Sequence, residues 1–370
     1  MTTTTAARRW QGWIPSSWTR RRRWQAWSPC SSTRRRRWRW LTIRGEQEAF
    51  RQEQLVRDRM DRVTSYDPKQ GGRYYTRFGF YDLDTFDPEE ESPLGPMRYT
   101  DRVYQGGDDA ELVLYPGINV LSVKIVSLDY FKFPIHVYGT VVARDSVDCK
   151  CVYLFRRDSD DCQVINSESN YGTDNLFSGL NFRTKENEQS PNRGLVLVDD
   201  TIVEIDLKIK DPRWQMGIDL SKGFVSVRGI IRRLEDVVES KCHDSRLSTV
   251  EVTSAVTKDA VEATIVIDVL QGQFDGKITA RTASIPERLV LYDGKVAGTK
   301  GIRCCDGAIQ LLRPVVTVDV NDMLIIVAET GDGNAKRTVE FTPRINGWSE
   351  NVCAVGVTNM RVKVAWSIIY

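Results

Sequence analysis

Alternation of apolar and polar residues recurs along most of the chain after Leu112, and it limits the fold to one built from β-strands. The clearest runs are residues 201–210, 261–269 and 362–368. Because no long helical pattern separates the runs, they predict an all-β domain over residues 112–370, a large antiparallel β-sandwich or barrel-like sandwich. The predicted core includes Ile205, Leu207, Ile265, Ile267, Val364 and Trp366.

Residues 1–45 form a basic arm whose composition differs from that of the remaining chain. The arm holds twelve arginines, seven of the ten tryptophans and no acidic residue. The whole chain has a net charge of +2, and without these twelve positive charges residues 46–370 carry −10. The core sequence Thr-Arg-Arg-Arg-Arg-Trp occurs twice, at an offset of 14 residues. Such low-complexity sequence predicts that the arm is disordered.

Arginine clusters beside tryptophans attract phosphates and offer indole planes for base stacking, so the arm is a candidate for binding single-stranded RNA. A nuclear import signal, a patch for anionic lipid, an organelle transit peptide and an unselected repeat are the alternatives. The candidate nucleic-acid-binding residues are Arg20, Arg21, Arg22, Arg23, Trp24, Arg34, Arg35, Arg36, Arg37 and Trp38.

Two further segments precede the all-β domain. Residues 46–63 place Ala49, Val56, Met60 and Val63 at helical spacing, which predicts an amphipathic helix. Residues 64–111 are rich in Pro, Gly and aromatic residues. We expect them to form an extended segment that wraps the body and lays Tyr and Phe rings on it, and a solvated linker is the alternative.

The cysteines and acidic turns give little support for a metal site. Cys149 and Cys151, near Cys162 and His136, resemble a ligand set, but their spacing places both thiols on one face of a strand, where they are expected to be buried. Acidic turns can bind calcium, but solvated turns are the more common outcome. These turns contain Asp158, Asp160, Asp161, Asp319 and Asp322. We expect no metal and no cofactor.

The chain has two histidines, the residue type most used for proton transfer near neutral pH. His136 lies between apolar neighbours, which indicates a structural role. His243 belongs to the run Cys-His-Asp-Ser at residues 242–245, but adjacent side chains rarely adopt triad geometry. Phosphate-binding, dinucleotide-binding and zinc-protease motifs are missing from the sequence. We therefore expect that the protein is not an enzyme.

Specific sequence motifs lie at residues 133–145 (FPIHVYGTVVARD), 153–158 (YLFRRD), 194–200 (GLVLVDD), 261–264 (VEAT), 276–280 (GKITA), 341–343 (FTP) and 362–367 (VKVAWS). With them, residues 112–370 resemble an uncharacterised all-β domain family of grass proteins. This domain is similar to the C-terminal half of a cereal jasmonate-induced ribosome-inactivating protein. The resemblance implies a stress or defence setting and no agreed catalytic residues. The Glu-Ala-Ala-Arg type motif of ribosome-inactivating glycosidases is missing, since VEAT lacks the arginine.

Together these features predict a non-enzymatic, plant stress- or defence-associated recognition module that binds a protein partner. RNA or ribosome binding through the basic arm is the alternative function. No stretch is long and apolar enough to predict a membrane span. We expect a cytoplasmic or nuclear protein, with plastid import as an alternative.

Overall fold

A computed structural model describes residues 32–78, 86–102, 113–166, 180, 191–211, 217–229, 237–297 and 307–370. Most regular elements in these residues are antiparallel β-strands, which confirms the all-β prediction. Within the same ranges, the helices are too short or too polar to cross a bilayer.

Helix α1 spans Ser32–Val63, so it includes the predicted amphipathic helix but begins 14 residues earlier. The helix therefore takes in residues 32–45 of the segment for which the sequence predicted disorder. Between Ser32 and Arg44 the sequence has no glycine or proline, and its arginine, tryptophan and leucine residues are compatible with a helix. On the predicted apolar stripe, Val63 is buried but Val56 and Met60 are exposed. Residues 1–31 lie outside the described ranges.

The first sandwich comprises residues 113–257. Its strands are β3 Gly117–Leu128, β4 Ile135–Arg144, β5 Val152–Arg157, β6 Gln163–Ile165, β7 Leu195–Val196, β8 Thr201–Ile209, β9 Ile218–Val227, β10 Val237–Ser245 and β11 Ser248–Thr257. One sheet has the order β10-β11-β3-β7, and the other has the order β5-β4-β8-β9, with β6 paired to β4. The apolar faces of the two sheets enclose one hydrophobic core.

The second sandwich comprises residues 260–370. Its strands are β12 Ala260–Gln271, β13 Gly276–Thr282, β14 Leu289–Asp293, β15 Val315–Asp319, β16 Leu324–Thr330, β17 Lys336–Phe341, β18 Asn346–Val355 and β19 Thr358–Ile368, with a short helix α2 Gly294–Ala297. The sheet orders are β18-β19-β12-β15 and β14-β13-β16-β17. A second hydrophobic core lies between these sheets.

The strands thus form two sandwiches, where the sequence predicted one. Only Lys258 and Asp259 separate β11 from β12, so the boundary has no linker that composition would reveal. The predicted core residues are buried as expected, with Ile205 and Leu207 in the first core. The other four predicted residues, Ile265, Ile267, Val364 and Trp366, lie in the second core.

The second sandwich repeats the strand order of the first. Each strand of the first sandwich except β6 has a counterpart in the second. In chain order, β12 to β19 correspond to β3, β4, β5, β7, β8, β9, β10 and β11. With this correspondence the strand orders of the two sandwiches are identical. The register of pairing agrees as well. Ile118 of β3 lies opposite Val256 of β11, and at the matching positions Val261 of β12 lies opposite Ile368 of β19. The described body therefore contains two copies of one eight-stranded unit, and β6 has no counterpart among the described residues of the second copy.

Equivalent residues join the two sandwiches, as in a two-fold symmetric dimer. Asn119 on β3 and Glu262 on β12 occupy matching positions. The Asn119 side chain donates to the Thr317 carbonyl oxygen at 2.6 Å and accepts from the Thr317 N–H at 2.9 Å. Glu262 accepts a hydrogen bond from the Gly194 N–H at 2.6 Å. Thr317 pairs with Glu262 inside its own sheet, and Gly194 immediately precedes β7, so each copy contacts the matching element of the other.

A strap, defined as the described residues 64–78 and 86–102, follows α1 in sequence and contacts both sandwiches. Its first part is a hairpin of β1 Thr64–Asp67 and β2 Gly72–Tyr75. The sequence predicted that aromatic rings attach this segment, but Tyr66, Tyr74 and Tyr75 are exposed. Polar contacts hold the hairpin instead, because Lys69 pairs with Asp129 and Asp244 of the first sandwich at 2.9 and 2.7 Å.

Candidate functional site

The residues predicted to bind nucleic acid fall into two groups. The first group, Arg20, Arg21, Arg22, Arg23 and Trp24, lies outside the described residues. The second group, Arg34, Arg35, Arg36, Arg37 and Trp38, lies in the first turns of α1. The placement of the second group on a helix is a finding, and RNA binding by either group stays a prediction.

The cysteine and histidine residues near β5 do not form the arrangement that their spacing predicted. Cys149 lies in a turn with φ of 61°, before β5 begins, so it does not share a strand face with Cys151. Cys151 is buried, and this burial raises the pKa of its thiol. The Cys162 Sγ lies 3.5 Å from His136 Nδ1. Among the described residues, no three metal-ligating side chains come together.

Two of the acidic turns considered for calcium use their carboxylates within the fold. Asp161 pairs with Arg157 at 3.0 Å. Asp322 accepts hydrogen bonds from the Ser284 hydroxyl and from the Ser284 N–H, the latter at 3.1 Å. Burial alone would raise the pKa of Asp322, but the hydrogen bonds lower it. Both carboxylates therefore bond to neighbouring protein groups and help to hold the conformation of their turns.

The Cys-His-Asp-Ser run lies on β10, where successive side chains point to opposite faces. Cys242 and Asp244 are exposed on the outer face, whereas Ser245 is buried. The His243 ring covers Gly223 so closely that a Cβ at this glycine would lie 2.1 Å from Nε2. Burial lowers the pKa of His243. The strand geometry therefore separates the groups that a catalytic triad would bring together.

A small pocket in the first sandwich is lined by three ion pairs, namely Arg144–Glu204 at 3.0 Å, Lys222–Asp206 at 2.8 Å and Arg77–Glu89. Burial alone would lower the pKa of Arg144, but its contact with Glu204 raises it. Glu204 also accepts the Phe78 N–H at 2.9 Å, and Arg144 and Cys151 donate to the Pro88 carbonyl. Both Phe78 and Pro88 belong to the strap. The pocket's charges thus neutralise each other and fasten the strap.

A second buried ion cluster lies where the strap crosses from one sandwich to the other. Arg193 forms two hydrogen bonds with Asp145, at 2.6 and 2.9 Å, and both side chains are 0% exposed. Arg193 also contacts Asp148 and Ser92 at 3.3 Å, and Ser92 is a strap residue. These bonds tie the strap to the first sandwich.

The strap is then fixed to the second sandwich by Glu262. Burial raises the pKa of this carboxyl group, although hydrogen bonds from the Gly194 and Met97 N–H groups favour its charged form. Met97 belongs to the strap, so Glu262 joins the strap, the first sandwich and the second sandwich. Arg313, which is fully buried, adds a bond of 2.5 Å to the Val120 carbonyl, and burial lowers its pKa to about 9.

The second sandwich carries an exposed apolar patch on the outer face of the sheet β18-β19-β12-β15. We name it the outer patch and define it as Trp348, Val352, Val266 and Leu270, which are 51%, 57%, 37% and 46% exposed. Trp348 and Val352 lie on the edge strand β18, and the other two lie on β12. Between these strands, Lys363 and Arg361 of β19 face the same side, since they pair with Val266 and Val352 respectively.

The matching face of the first sandwich has polar residues at the corresponding positions. Strand pairing places Ser240 where the second sandwich has Trp348, and Asp244 where it has Val352. It also places Lys124 where the second sandwich has Val266. The same fold therefore forms with serine, aspartate and lysine at these positions, so folding does not require the apolar residues of the outer patch. Exposed apolar clusters of this kind typically mark interaction surfaces.

Comparison with protein families assigns the body to a known domain. A model described as a domain of unknown function (DUF6598) matches residues 117–364. The chain belongs to the DUF6598 family. The matched region begins with β3 and ends within β19, so a single DUF6598 domain contains both sandwiches, the interface between them and the outer patch.

Other comparisons add no functional information. A search of curated proteins found no match. Among solved structures, human GIVD cytosolic phospholipase A2 is similar with 8% identity and a TM-score of 0.23, over 70% of this chain and 31% of that chain. The same enzyme in complex with methyl gamma-linolenyl fluorophosphonate gives 8% identity and a TM-score of 0.21, over 69% of this chain and 32% of that chain. Likeness at these TM-scores carries no argument about activity.

The outer patch was missed by sequence reasoning, although one signal for it exists. In the run of residues 261–269 the inward face was correctly taken as Val261, Ala263, Ile265 and the following odd-numbered positions. Val266 and Leu270 then stand as apolar residues on the face expected to be polar. Trp348 gave no comparable signal, because the run containing β18 was not among the predicted strands.

Proposed function

We propose that this DUF6598 protein is a non-enzymatic recognition module that binds a protein partner through the outer patch. The observation that carries the proposal is the difference between two copies of one fold. The first sandwich has Ser240 and Asp244 at positions where the second sandwich exposes Trp348 and Val352. Exposed tryptophan is the residue type most enriched at the energetic centres of protein interfaces.

The surroundings of the outer patch fit a protein surface as its ligand. Apolar side chains on β18 and β12 lie on either side of β19, about 10 Å apart, because adjacent strands are separated by about 4.8 Å. Lys363 is neutralised by Asp268 at 3.1 Å, which leaves polar groups around the apolar side chains. The outer patch therefore has two apolar strips, on β18 and β12, with charged side chains of β19 between them, and protein interfaces combine apolar and polar groups.

The buried charges support a recognition role over a catalytic one. Arg144 and Arg193 are each paired with a buried carboxylate, and their remaining contacts reach the strap, nearby backbone or, for Arg193, the Asp148 carboxylate. The His243 ring packs against Gly223 of the neighbouring strand, and its burial lowers its pKa. These groups stabilise the body on which the outer patch is presented.

The test uses residues that the fold already accepts. Trp348→Ser and Val352→Asp, made together, install the residues of the first sandwich at the matching positions. Wild-type protein and this double variant are used to capture partners from an extract of the native tissue. The captured protein is then purified, and its affinity for both forms is measured by isothermal titration calorimetry. We expect a single partner whose binding weakens about 30-fold or more, as for loss of a tryptophan worth about 2 kcal/mol.

The matched control changes the equivalent face of the first sandwich. Lys124→Ala and Ser240→Ala, made together, should leave the affinity for the same partner unchanged. Thermal unfolding of both double variants should remain close to that of the wild type, because all the substituted residues are exposed or half-buried. Equal affinity of the wild type and the Trp348→Ser, Val352→Asp variant for every purified partner would refute the proposed surface.

We place this recognition in a plant stress or defence response, in the cytoplasm or nucleus. Support comes from the motifs at residues 133–145 and 362–367, which resemble a grass domain family and the cereal jasmonate-induced protein. The expected result is a rise in the amount of the protein, measured by quantitative mass spectrometry, after jasmonate treatment of the native tissue. An unchanged amount across jasmonate, wounding and salt treatments would contradict this setting.

A further inference from the structure

Among the described residues β18 is the edge strand of its sheet, and no described strand pairs with the other side of its backbone. An unpaired edge is a template for the addition of another strand. The strap contacts the start of this edge, where the Gly347 N–H donates to the Thr100 carbonyl at 2.8 Å. Beyond Gly347, the strand continues through Val355 with pairing to β19 on its other side.

The matching edge strand of the first sandwich, β10, is joined by hydrogen bonds to the opposite sheet, and β18 is not. Three side chains of β10 bond to the backbone of the neighbouring edge strand β9. Lys241 donates to the Ser226 carbonyl at 2.7 Å, and Ser245 donates to the Lys222 carbonyl at 2.8 Å. His243 Nε2 lies 3.3 Å from the same Lys222 oxygen. The corresponding residues of β18 are Ser349, Asn351 and Cys353, and no hydrogen bond joins β17 to β18, two strands that are described in full.

Three alternate side chains of β18 line the open edge on the outer face, namely Trp348, Glu350 and Val352, and all three are exposed. Glu350 pairs in register with Lys363. The Lys363 ammonium group, however, is bonded to Asp268 at 3.1 Å, and the structure shows no ion pair for Glu350 in its described surroundings. A ligand at this edge therefore meets an apolar position, a negative charge and a second apolar position.

We infer that β18 accepts an extended peptide segment of the partner as an additional strand. This peptide carries apolar side chains at two alternate positions, opposite Trp348 and Val352, and a lysine or arginine between them, opposite Glu350. Backbone hydrogen bonds supply affinity in such strand addition, and the alternate side chains supply specificity. The inference rests on the proposed function and specifies which kind of partner segment the outer patch binds.

The charge of Glu350 also argues against a second copy of this chain as the occupant. Two β18 strands that pair antiparallel about Glu350 would place Trp348 opposite Val352, which is favourable. The same register places Glu350 opposite its own copy, and like charges directly opposite each other destabilise a strand pair. The charge at the centre of the edge therefore favours a basic peptide over self-association.

The test uses the full chain and two synthetic peptides. The first peptide is acetylated, fluorescein-labelled Thr-Ile-Thr-Arg-Thr-Ile-Thr, and the second has Glu in place of Arg. Fluorescence anisotropy should show tighter binding of the Arg peptide to the wild type, by about three- to tenfold. Glu350→Lys should reverse this preference by a similar factor, since cross-strand charge pairs contribute on this scale. Glu340→Lys, an exposed substitution on β17, is the matched control and should not alter the preference.

A backbone test separates strand addition from simple charge attraction. In antiparallel addition the N–H groups of the arginine and the two isoleucines face β18, because Ser349 and Asn351 bond to β19 and Glu350 between them turns its backbone to the open edge. Methylation of the arginine nitrogen and the two isoleucine nitrogens removes these donors without changing charge, and it should abolish binding. Undiminished binding of the methylated peptide, or a Glu350→Lys variant that keeps the preference of the wild type, would overturn the inference. So would self-association of the wild type that Glu350→Lys abolishes, measured by sedimentation velocity. If the peptides fail while a purified partner still distinguishes Trp348→Ser, Val352→Asp from the wild type, strand addition is wrong and the proposed function stands.

Discussion

Replacing Arg193 by methionine is expected to lower the free energy of unfolding by about 3–5 kcal/mol. Arg193 and Asp145 are both 0% exposed and share two hydrogen bonds, at 2.6 and 2.9 Å. Methionine fills similar volume but leaves the Asp145 charge buried without its partner. It also removes the contacts to Asp148 and Ser92 at 3.3 Å, which attach the strap. Breaking a buried ion pair from one side costs this much because the remaining charge is desolvated.

Urea denaturation followed by tryptophan fluorescence measures this loss. The matched control is Arg156→Met, because Arg156 also pairs with a strap residue, Glu91, at 3.5 Å. Its side chain and that of Glu91 are 47% and 42% exposed, so the loss should be below about 0.5 kcal/mol. Adding Asp145→Asn to Arg193→Met should recover at least about 1 kcal/mol, since the uncompensated charge is then removed. A loss below about 1 kcal/mol for Arg193→Met, or no recovery in the double variant, would refute the assignment of this pair as the anchor of the strap.

Three further predictions concern the core, a titrating group and the arm. Trp366→Ala should lower the free energy of unfolding by about 3–5 kcal/mol in urea denaturation, because Trp366 is fully buried in the second core. Lys208→Ala should lower it by less than about 0.5 kcal/mol. Equal losses for the two variants would contradict the assigned strand faces. Burial lowers the pKa of His243 in the folded state, so the imidazole binds a proton more readily in the unfolded chain. The free energy of unfolding should therefore fall as the pH drops from about 7.5 through the unfolded pKa near 6.5. His243→Gln should reduce that fall in urea titrations at pH 7.5, 6.5 and 5.5, and an identical pH dependence would count against burial of the neutral ring. For the arm, replacing Arg20, Arg21, Arg22 and Arg23 with alanine should flatten the dependence of log affinity for single-stranded RNA on log salt, by roughly 0.7 per lost phosphate contact in fluorescence anisotropy. Equal RNA affinity of the full chain and of a chain that starts at Glu46 would show that the arm does not bind RNA.

The alternation of residue types predicted the strands well, because burial on one face leaves a direct trace in sequence. Ile205 and Leu207, for example, face the core as the pattern requires. Glu204, on the expected solvent face, is nevertheless buried, since the strap covers it and its Phe78 N–H donates to the carboxylate. Such coverage depends on a segment more than a hundred residues away, so local periodicity carries no information about it.

The division into two sandwiches was not predictable in the same way. Both copies have the same alternation, and Lys258 and Asp259 alone lie between β11 and β12. Strand pairing is what reveals the repeat, since Asn119 and Glu262 become equivalent only when their partners Thr317 and Gly194 are known.

The candidate site depends on this repeat. Val266 was visible as an apolar residue on a polar face, but one such residue has no clear meaning because single exposed apolar residues are common on protein surfaces. Its significance comes from Trp348 and Val352 nearby and from Lys124, Ser240 and Asp244 at the matching positions of the first sandwich. The repeat supplies the reference that the sequence alone lacks.

Physical constraints on the two copies explain why they can differ in this way. Inward residues such as Val252 and Val364 must stay apolar in both copies, because each sandwich needs its own core. Outward residues are free of that requirement, so their composition reflects solubility or binding. Trp348 and Val352 on an open edge increase the tendency of the sheet to associate. Glu350 between them opposes pairing of the edge with its own copy and leaves it able to pair with a strand of opposite charge. The requirements of folding do not account for this combination of apolar and acidic residues on one edge, whereas the proposed binding of another protein does.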